Sequence, residues 1–144
     1  MSKFFEPCHL LYFAERMLES VDTLICDDVC DYNECLYRSI ANRAYYAAFL
    51  TVFDRAIMWG YLEPEIEDHG KLFQFLSKFQ RNIMNNDYNK RFDASFESLI
   101  ELSNLRKIAD YNLHYNFDVK TAKRSLELSH KVIENINKIP TSFK

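Results

Sequence analysis

The stretch Leu102–Phe117 (LSNLRKIADYNLHYNF) gathers the residue types most suited to chemistry: Arg106, Asp110, Tyr111, Asn112 and His114. Cleaving RNA without a metal needs a base to take the proton of a ribose 2′-hydroxyl and a cation to steady the charged phosphorane. A histidine titrating near about pH 6.5 and an arginine fit those two tasks. On a straight helix, eight residues would hold Arg106 and His114 about 12 Å apart along the axis. Two arrangements can bring them together. The helix can unwind at Asn112, or two subunits can pair antiparallel and set Arg106 of one against His114 of the other. The plain structural alternative is a solvent-facing His114 just past a helix end.

The elements that must position these groups are helices. At about 100° per residue, Leu99, Leu102, Leu105, Ala109 and Leu113 fall on one core-facing stripe. Arg106 and Asp110 lie at its margin, four residues apart, where they can touch while half buried. Arg43 sits in an earlier helix that is apolar nearly all round from Ile40 to Phe53. A buried guanidinium needs a counter-charge. The sequence therefore predicts either an Arg43–Asp110 pair tying two helices together or a substrate role for Arg43.

Periodicity along the rest of the chain predicts five helices. Leu10, Ala14, Met17, Leu18 and Val21 mark the first, over residues 6–22, and 23–31 is a polar connection. The second and longest runs from 32 to 60, where Gly60 and Pro64 stop it before an acidic loop. Leu72, Phe75, Leu76 and Phe79 mark a short third helix opening near His69. Residues 81–91 (RNIMNNDYNKR) read as a polar loop, long enough to be a binding loop. The fourth helix covers 93–112. Val119, Ala122, Leu126, Ile133 and Ile136 mark the fifth, which Pro140 ends. The fold expected is an all-α, five-helix bundle with one long central helix, occupying residues 1–144 as one domain.

Composition narrows the function classes. With 144 residues, 48% of them hydrophobic, the chain can bury a real core, and two glycines are too few for a β-sandwich or a glycine-rich phosphate loop. The net charge of −3 argues against nucleic-acid binding over the whole surface. A local basic patch from Lys107, Lys120, Lys123, Arg124 and Lys131 is still compatible with it. No secretory signal and no membrane span is visible, so a cytoplasmic protein is expected. Cys8, Cys26, Cys30 and Cys35 are then most simply reduced thiols, their spacing unlike a structural zinc site. No metal and no cofactor is expected.

The segments YRSIANRAYYAAF (Tyr37–Phe49) and LRKIADYNLHYN (Leu105–Asn116) resemble the HEPN superfamily. The likeness is to the branch with a RAYYA-type second helix and an Arg-x-x-x-Asp-Tyr motif in the fourth. It implies a helical bundle that forms a homodimer and often acts as an endoribonuclease in toxin–antitoxin or antiviral defence systems. Arg106 matches the family's catalytic arginine and His114 its histidine. Seven residues intervene rather than four to six, and Lys107 stands where a polar amide is usual. Asp110 and Tyr111 match the Asp-Tyr variant, and His69 falls where relatives of this branch tend to carry a histidine. The reading implied is metal-independent RNA cleavage to 2′,3′-cyclic phosphate and 5′-hydroxyl ends. His114 is the base, Arg106 stabilises the transition state and Asp110 orients an arginine. Tyr111, Asn112, Arg43 and His69 would bind substrate. An antitoxin of nucleotidyltransferase fold is the partner implied, and the Tyr111 hydroxyl suits modification by it. The other reading is a non-catalytic module that recruits such a partner or a nucleotide. Ile100, Ile108 and Tyr111, across the fourth helix from its core stripe, also call for apolar cover, as a dimer would give.

Overall fold

In the computed structural model the residues described are 6–20, 32–60, 70, 73–74 and 86–141. They form the helices α1 (Cys8–Ser20), α2 (Tyr32–Met58), α3 (Asn86–Tyr111) and α4 (Val119–Asn137). No strand occurs among them. The all-α expectation therefore holds among the described residues, which contain four of the five expected helices in full. Of the short helix expected from His69, only Gly70, Phe73 and Gln74 are described, all helical; His69 itself lies outside the described residues.

At 27 residues, α2 is about 40 Å long and packs against α1, α3 and α4. Its sequence explains that central place. Ile40, Ala41, Ala44, Ala47, Ala48 and Phe49 have no exposed surface. Alanine keeps the neighbouring backbones close, and Tyr45, Phe49 and Phe53 stack along the helix with successive centroids 5.8 Å apart. One face nevertheless stays open. Cys35, Ser39, Arg43, Asp54 and Met58 are exposed along it. Arg43 is thus not buried, contrary to expectation, because it occupies the stripe that no described helix covers.

Helix α3 starts at Asn86, well before the expected Asp93, so the described part of the supposed 81–91 loop is helical. Its first turns expose Asn86, Asp87 and Lys90 and turn Phe92 inward. Arg91 Nε lies 3.1 Å from Asp87 Oδ2, one helical turn back, and Asp87 complements the positive end of the helix dipole. Farther on, Leu99, Leu102 and Ala109 are buried as the apolar stripe requires. Leu113 is 82% exposed, because the helix has already ended at Tyr111.

Small side chains are buried on both α3 and α4. Ser95, Ser98, Ser103, Ser125 and Ser129 are all buried, beside the fully buried Ala122. Ser95 and Ser125 donate to carbonyls one turn back, at 2.8 and 3.0 Å, so their hydroxyls enter the core satisfied. Asp118 caps α4 by accepting the Thr121 backbone N–H at 2.9 Å. That N–H, followed by the Thr121 hydroxyl, holds the Asp118 carboxyl below the usual carboxylate range. At the other end, Arg55 donates to the Ile139 carbonyl at 2.9 Å and Trp59 to the Pro140 carbonyl at 3.0 Å, tying α2 to the chain beyond α4. Glu15 on α1 contacts His130 on α4.

Candidate functional site

The site is built around the end of α3. Four C-terminal carbonyls of any helix lack intrahelical donors, and here an arginine from α2 supplies some. Arg38 Nη1 donates to the carbonyls of Ile108 (3.0 Å) and Ala109 (2.9 Å). Its Nη2 donates to the Tyr115 carbonyl at 2.6 Å and to Glu34 Oε1 at 3.0 Å. The same Glu34 oxygen accepts the Phe117 backbone N–H at 3.1 Å. That N–H first, and Arg38 next, hold the Glu34 carboxyl below its ordinary range. Phe117 is buried with Ala41 and Ala109 in a small apolar cluster, and the Arg38 guanidinium lies 5.6 Å from its ring centroid. Both ends of the 112–116 segment are thereby fixed to α2. None of this followed from the motif reading; the signal was present as a Glu-x-x-x-Arg pair on α2.

Within that frame the chain leaves the helix at Asn112, whose Oδ1 accepts the His114 backbone N–H at 3.2 Å. The His114 side chain faces solvent. A groove of about 570 Å³ runs along this end of α3, lined by Arg106, Lys107, Ile108, Tyr111, Asn112, Leu113 and His114. The departure from helix at Asn112 is the first of the two arrangements that can bring Arg106 and His114 onto one concave surface.

Arg106 is held from three sides. Its Nη2 donates to the Tyr46 hydroxyl at 3.0 Å, and the guanidinium lies 5.4 to 5.9 Å from the ring centroids of Tyr45, Tyr46 and Tyr111. Nε approaches Asp110 Oδ2 to 3.2 Å, but its N–H is not aimed at that oxygen and has no hydrogen-bond acceptor. The contact is an ion pair only. Burial opposes charge on Arg106, yet the Tyr46 hydroxyl, with Asp110 and Tyr111 behind it, more than offsets this and raises the guanidinium pKa. Burial also pushes the neighbouring Tyr45 phenol up to about 12, against the pull of Arg106 and Ser103, so it stays protonated at neutral pH. The side chain of Arg106 is 18% exposed.

Asp110 pairs with Arg106 and accepts Asn42 Nδ2, at 3.2 Å to its nearer oxygen, rather than pairing with Arg43. Asn42, Asp110 and Arg43 line a second groove of about 340 Å³ on the α2 side, with Cys35, Arg38 and Ser39. Arg43 has no ion pair among the described residues. It reaches this second groove, not the first.

Helix α3 and the turn after it expose large apolar side chains. Tyr111 is 72% exposed, and Ile100 and Tyr115 each 39%. Ile108 is half buried, packed toward the Phe117 cluster. Lys107, Lys120, Lys123 and Lys131 face solvent, whereas Arg124 is taken up by a two-pronged pair with Glu101, both contacts at 3.0 Å. Elsewhere, Glu6, Cys8 and His9 bring three possible ligand atoms within 4.8 Å of one another at the start of α1, and none of them lines this groove. Cys26 and Cys30 lie outside the described residues. No helix among those described is long and apolar enough to cross a membrane.

A family model described as the HEPN domain matches residues 11–139. No curated protein and no solved structure matches the chain.

Proposed function

The chain belongs to the HEPN family, and from that footing we propose that it is a metal-independent endoribonuclease of a toxin–antitoxin or antiviral defence system. The observation that carries the reading is that Arg106 and His114 line one groove. The chemistry follows from their types. His114 takes the proton from a ribose 2′-hydroxyl, whose oxygen attacks the adjacent phosphorus. The bond to the 5′-oxygen breaks, and that oxygen leaves with a proton drawn from solvent. The products are a 2′,3′-cyclic phosphate and a 5′-hydroxyl. Arg106 stabilises the extra negative charge on the phosphorane oxygens. Among the described residues its side chain makes one hydrogen bond, from Nη2 to Tyr46, and Nε is buried, so the Nη1 donors are the ones left for a phosphate. Asp110 orients Arg106 from the following turn. Tyr111 and Asn112 line the same wall and position the phosphate or a base; Arg43 contacts the strand only where it passes over the second groove. The molecule works in the cytoplasm as a homodimer closed over the exposed Tyr111 and Leu113. Its antitoxin has a nucleotidyltransferase fold and can modify the Tyr111 hydroxyl.

One observation favours a second reading. Arg106 is largely covered and already holds Asp110 and Tyr46, as a structural arginine would. The chain would then be a non-catalytic module whose apolar groove recruits a nucleotidyltransferase-fold partner or a nucleotide.

The test is RNA cleavage in EDTA by the wild type, Arg106→Ala and His114→Ala, with folding followed by circular dichroism. Cyclic-phosphate ends from the wild type, lost in both folded variants, establish the enzyme. No cleavage of any RNA by the wild type leaves the binding module.

A further inference from the structure

A histidine on a short solvent-facing turn is useful as a base only if the turn holds one position. Here the turn's own bonds are few: the Asn112 and Tyr115 amides donate to Ile108 and Asn112 carbonyls at 3.0 and 3.3 Å, and Asn112 Oδ1 accepts the His114 amide. Among the described residues, the other hydrogen bonds that fix it come from α2. Arg38 grips the last turn of α3 and the Tyr115 carbonyl with one guanidinium, and Glu34 joins that guanidinium to the Phe117 amide. The two anchor points bracket His114 on both sides in sequence.

We propose that Glu34 and Arg38 are the positioning residues of the site, forming a clasp that sets the His114 imidazole in the Arg106 groove. The role rests on the endoribonuclease reading for its consequence in catalysis, but not for its geometry. Neither side chain lines the groove that holds Arg106 and His114. Both act through the backbone of the segment. Geometry rather than charge matters, because a planar fork reaches several carbonyls at once and an ammonium cannot. The basic group also meets the negative end of the α3 dipole, an attraction that a lysine would keep. Arg38→Lys therefore separates the two contributions.

The experiment uses the full chain, with Arg38→Lys and Glu34→Ala as variants and a pool of single-stranded oligoribonucleotides as probe. Position is read without RNA, from amide exchange and from nuclear Overhauser contacts between the His114 imidazole and side chains lining the groove. In Arg38→Lys the Tyr115 and Phe117 amides should exchange about tenfold faster or more, with α4 amides unchanged. The imidazole contacts to the groove should disappear. With RNA, kcat should fall on the order of a hundredfold while KM stays close to wild type, the pattern of a displaced base rather than a lost binding contact. Glu34→Ala should change exchange and kcat in the same direction, and it serves alone if Arg38→Lys exchanges globally. Unchanged turn exchange and intact imidazole contacts in the folded variants overturn the clasp. A released turn with unchanged kcat overturns its role in positioning. A wild type that cleaves nothing removes the catalytic reading, and the imidazole contacts then decide the clasp by themselves.

Discussion

Arg106 on α3 and Tyr46 on α2 meet across the helix seam, the guanidinium Nη2 donating to the phenolic oxygen at 3.0 Å. This bond holds the arginine from the side opposite Asp110's helix. Tyr46→Phe removes the acceptor for Arg106 and keeps the ring contacts. The expected loss is about 1 kcal/mol of stability, read as a fall in Tm of about 3 °C. Under the endoribonuclease reading kcat falls with it, since Arg106 gains freedom. A Tm equal to that of the wild type removes the bond from the account.

The α2 stack makes a different demand. Phe49 is fully buried and touches Tyr45 and Phe53 ring to ring. Phe49→Ala leaves a cavity in the main core cluster and should cost about 3–5 kcal/mol, visible in urea denaturation. A loss below about 1 kcal/mol would mean that the helices collapse around the gap.

Leu113, exposed beside Tyr111 on the rim of the groove, separates stability from association. Leu113→Glu should leave monomer stability within about 0.5 kcal/mol, because no buried contact is lost. Under the proposed homodimer, it should also turn the dimer into a monomer in sedimentation, as a charge placed in an apolar interface does. A dimer that survives this change is formed elsewhere on the molecule.

Acid should loosen the turn and the α4 cap. The Glu34 and Asp118 carboxyls are both held below their usual range, by backbone N–H groups first. A carboxylate with a depressed folded pKa adds stability above its unfolded value, about 4 for these side chains, and loses it as pH falls through the folded pKa. Stability should therefore be level across neutral pH and decline below about pH 4. Glu34→Gln together with Asp118→Asn should flatten that decline in thermal scans. An equally steep acid limb in the double variant places the sensitive groups elsewhere.

Helices that bury a stripe announced themselves in the sequence. Ala122, Leu126 and Ile136 are buried on α4, and Leu99, Leu102 and Ala109 on α3, because a 3.6-residue period marks any helix with one covered side. The beginning of α3 carried no such mark. Residues 86–91 are polar, and their helix is carried by Phe92 and by the Asp87–Arg91 pair instead. Arg43 misled for the opposite reason: alanines and tyrosines surround it in sequence, yet its azimuth falls on the open face of α2. The pairing of Arg106 with Asp110 was legible from their four-residue spacing. The roles of Glu34, Arg38, Asn42 and Tyr46 were not, since each depends on how α2 docks against the end of α3, more than 50 residues along the chain.

Trp59, the one tryptophan in the chain, closes α2 against the Pro140 carbonyl and lies 6.5 Å from the Phe92 ring by centroids. It lines neither groove beside Asp110. Its emission is therefore a native optical gauge of whether the far end of the bundle is shut. Ligands entering the Arg106 groove should leave that signal unchanged, while denaturation should shift it to the red. A single unlabelled sample can thus report folding on one channel while occupancy is followed on another.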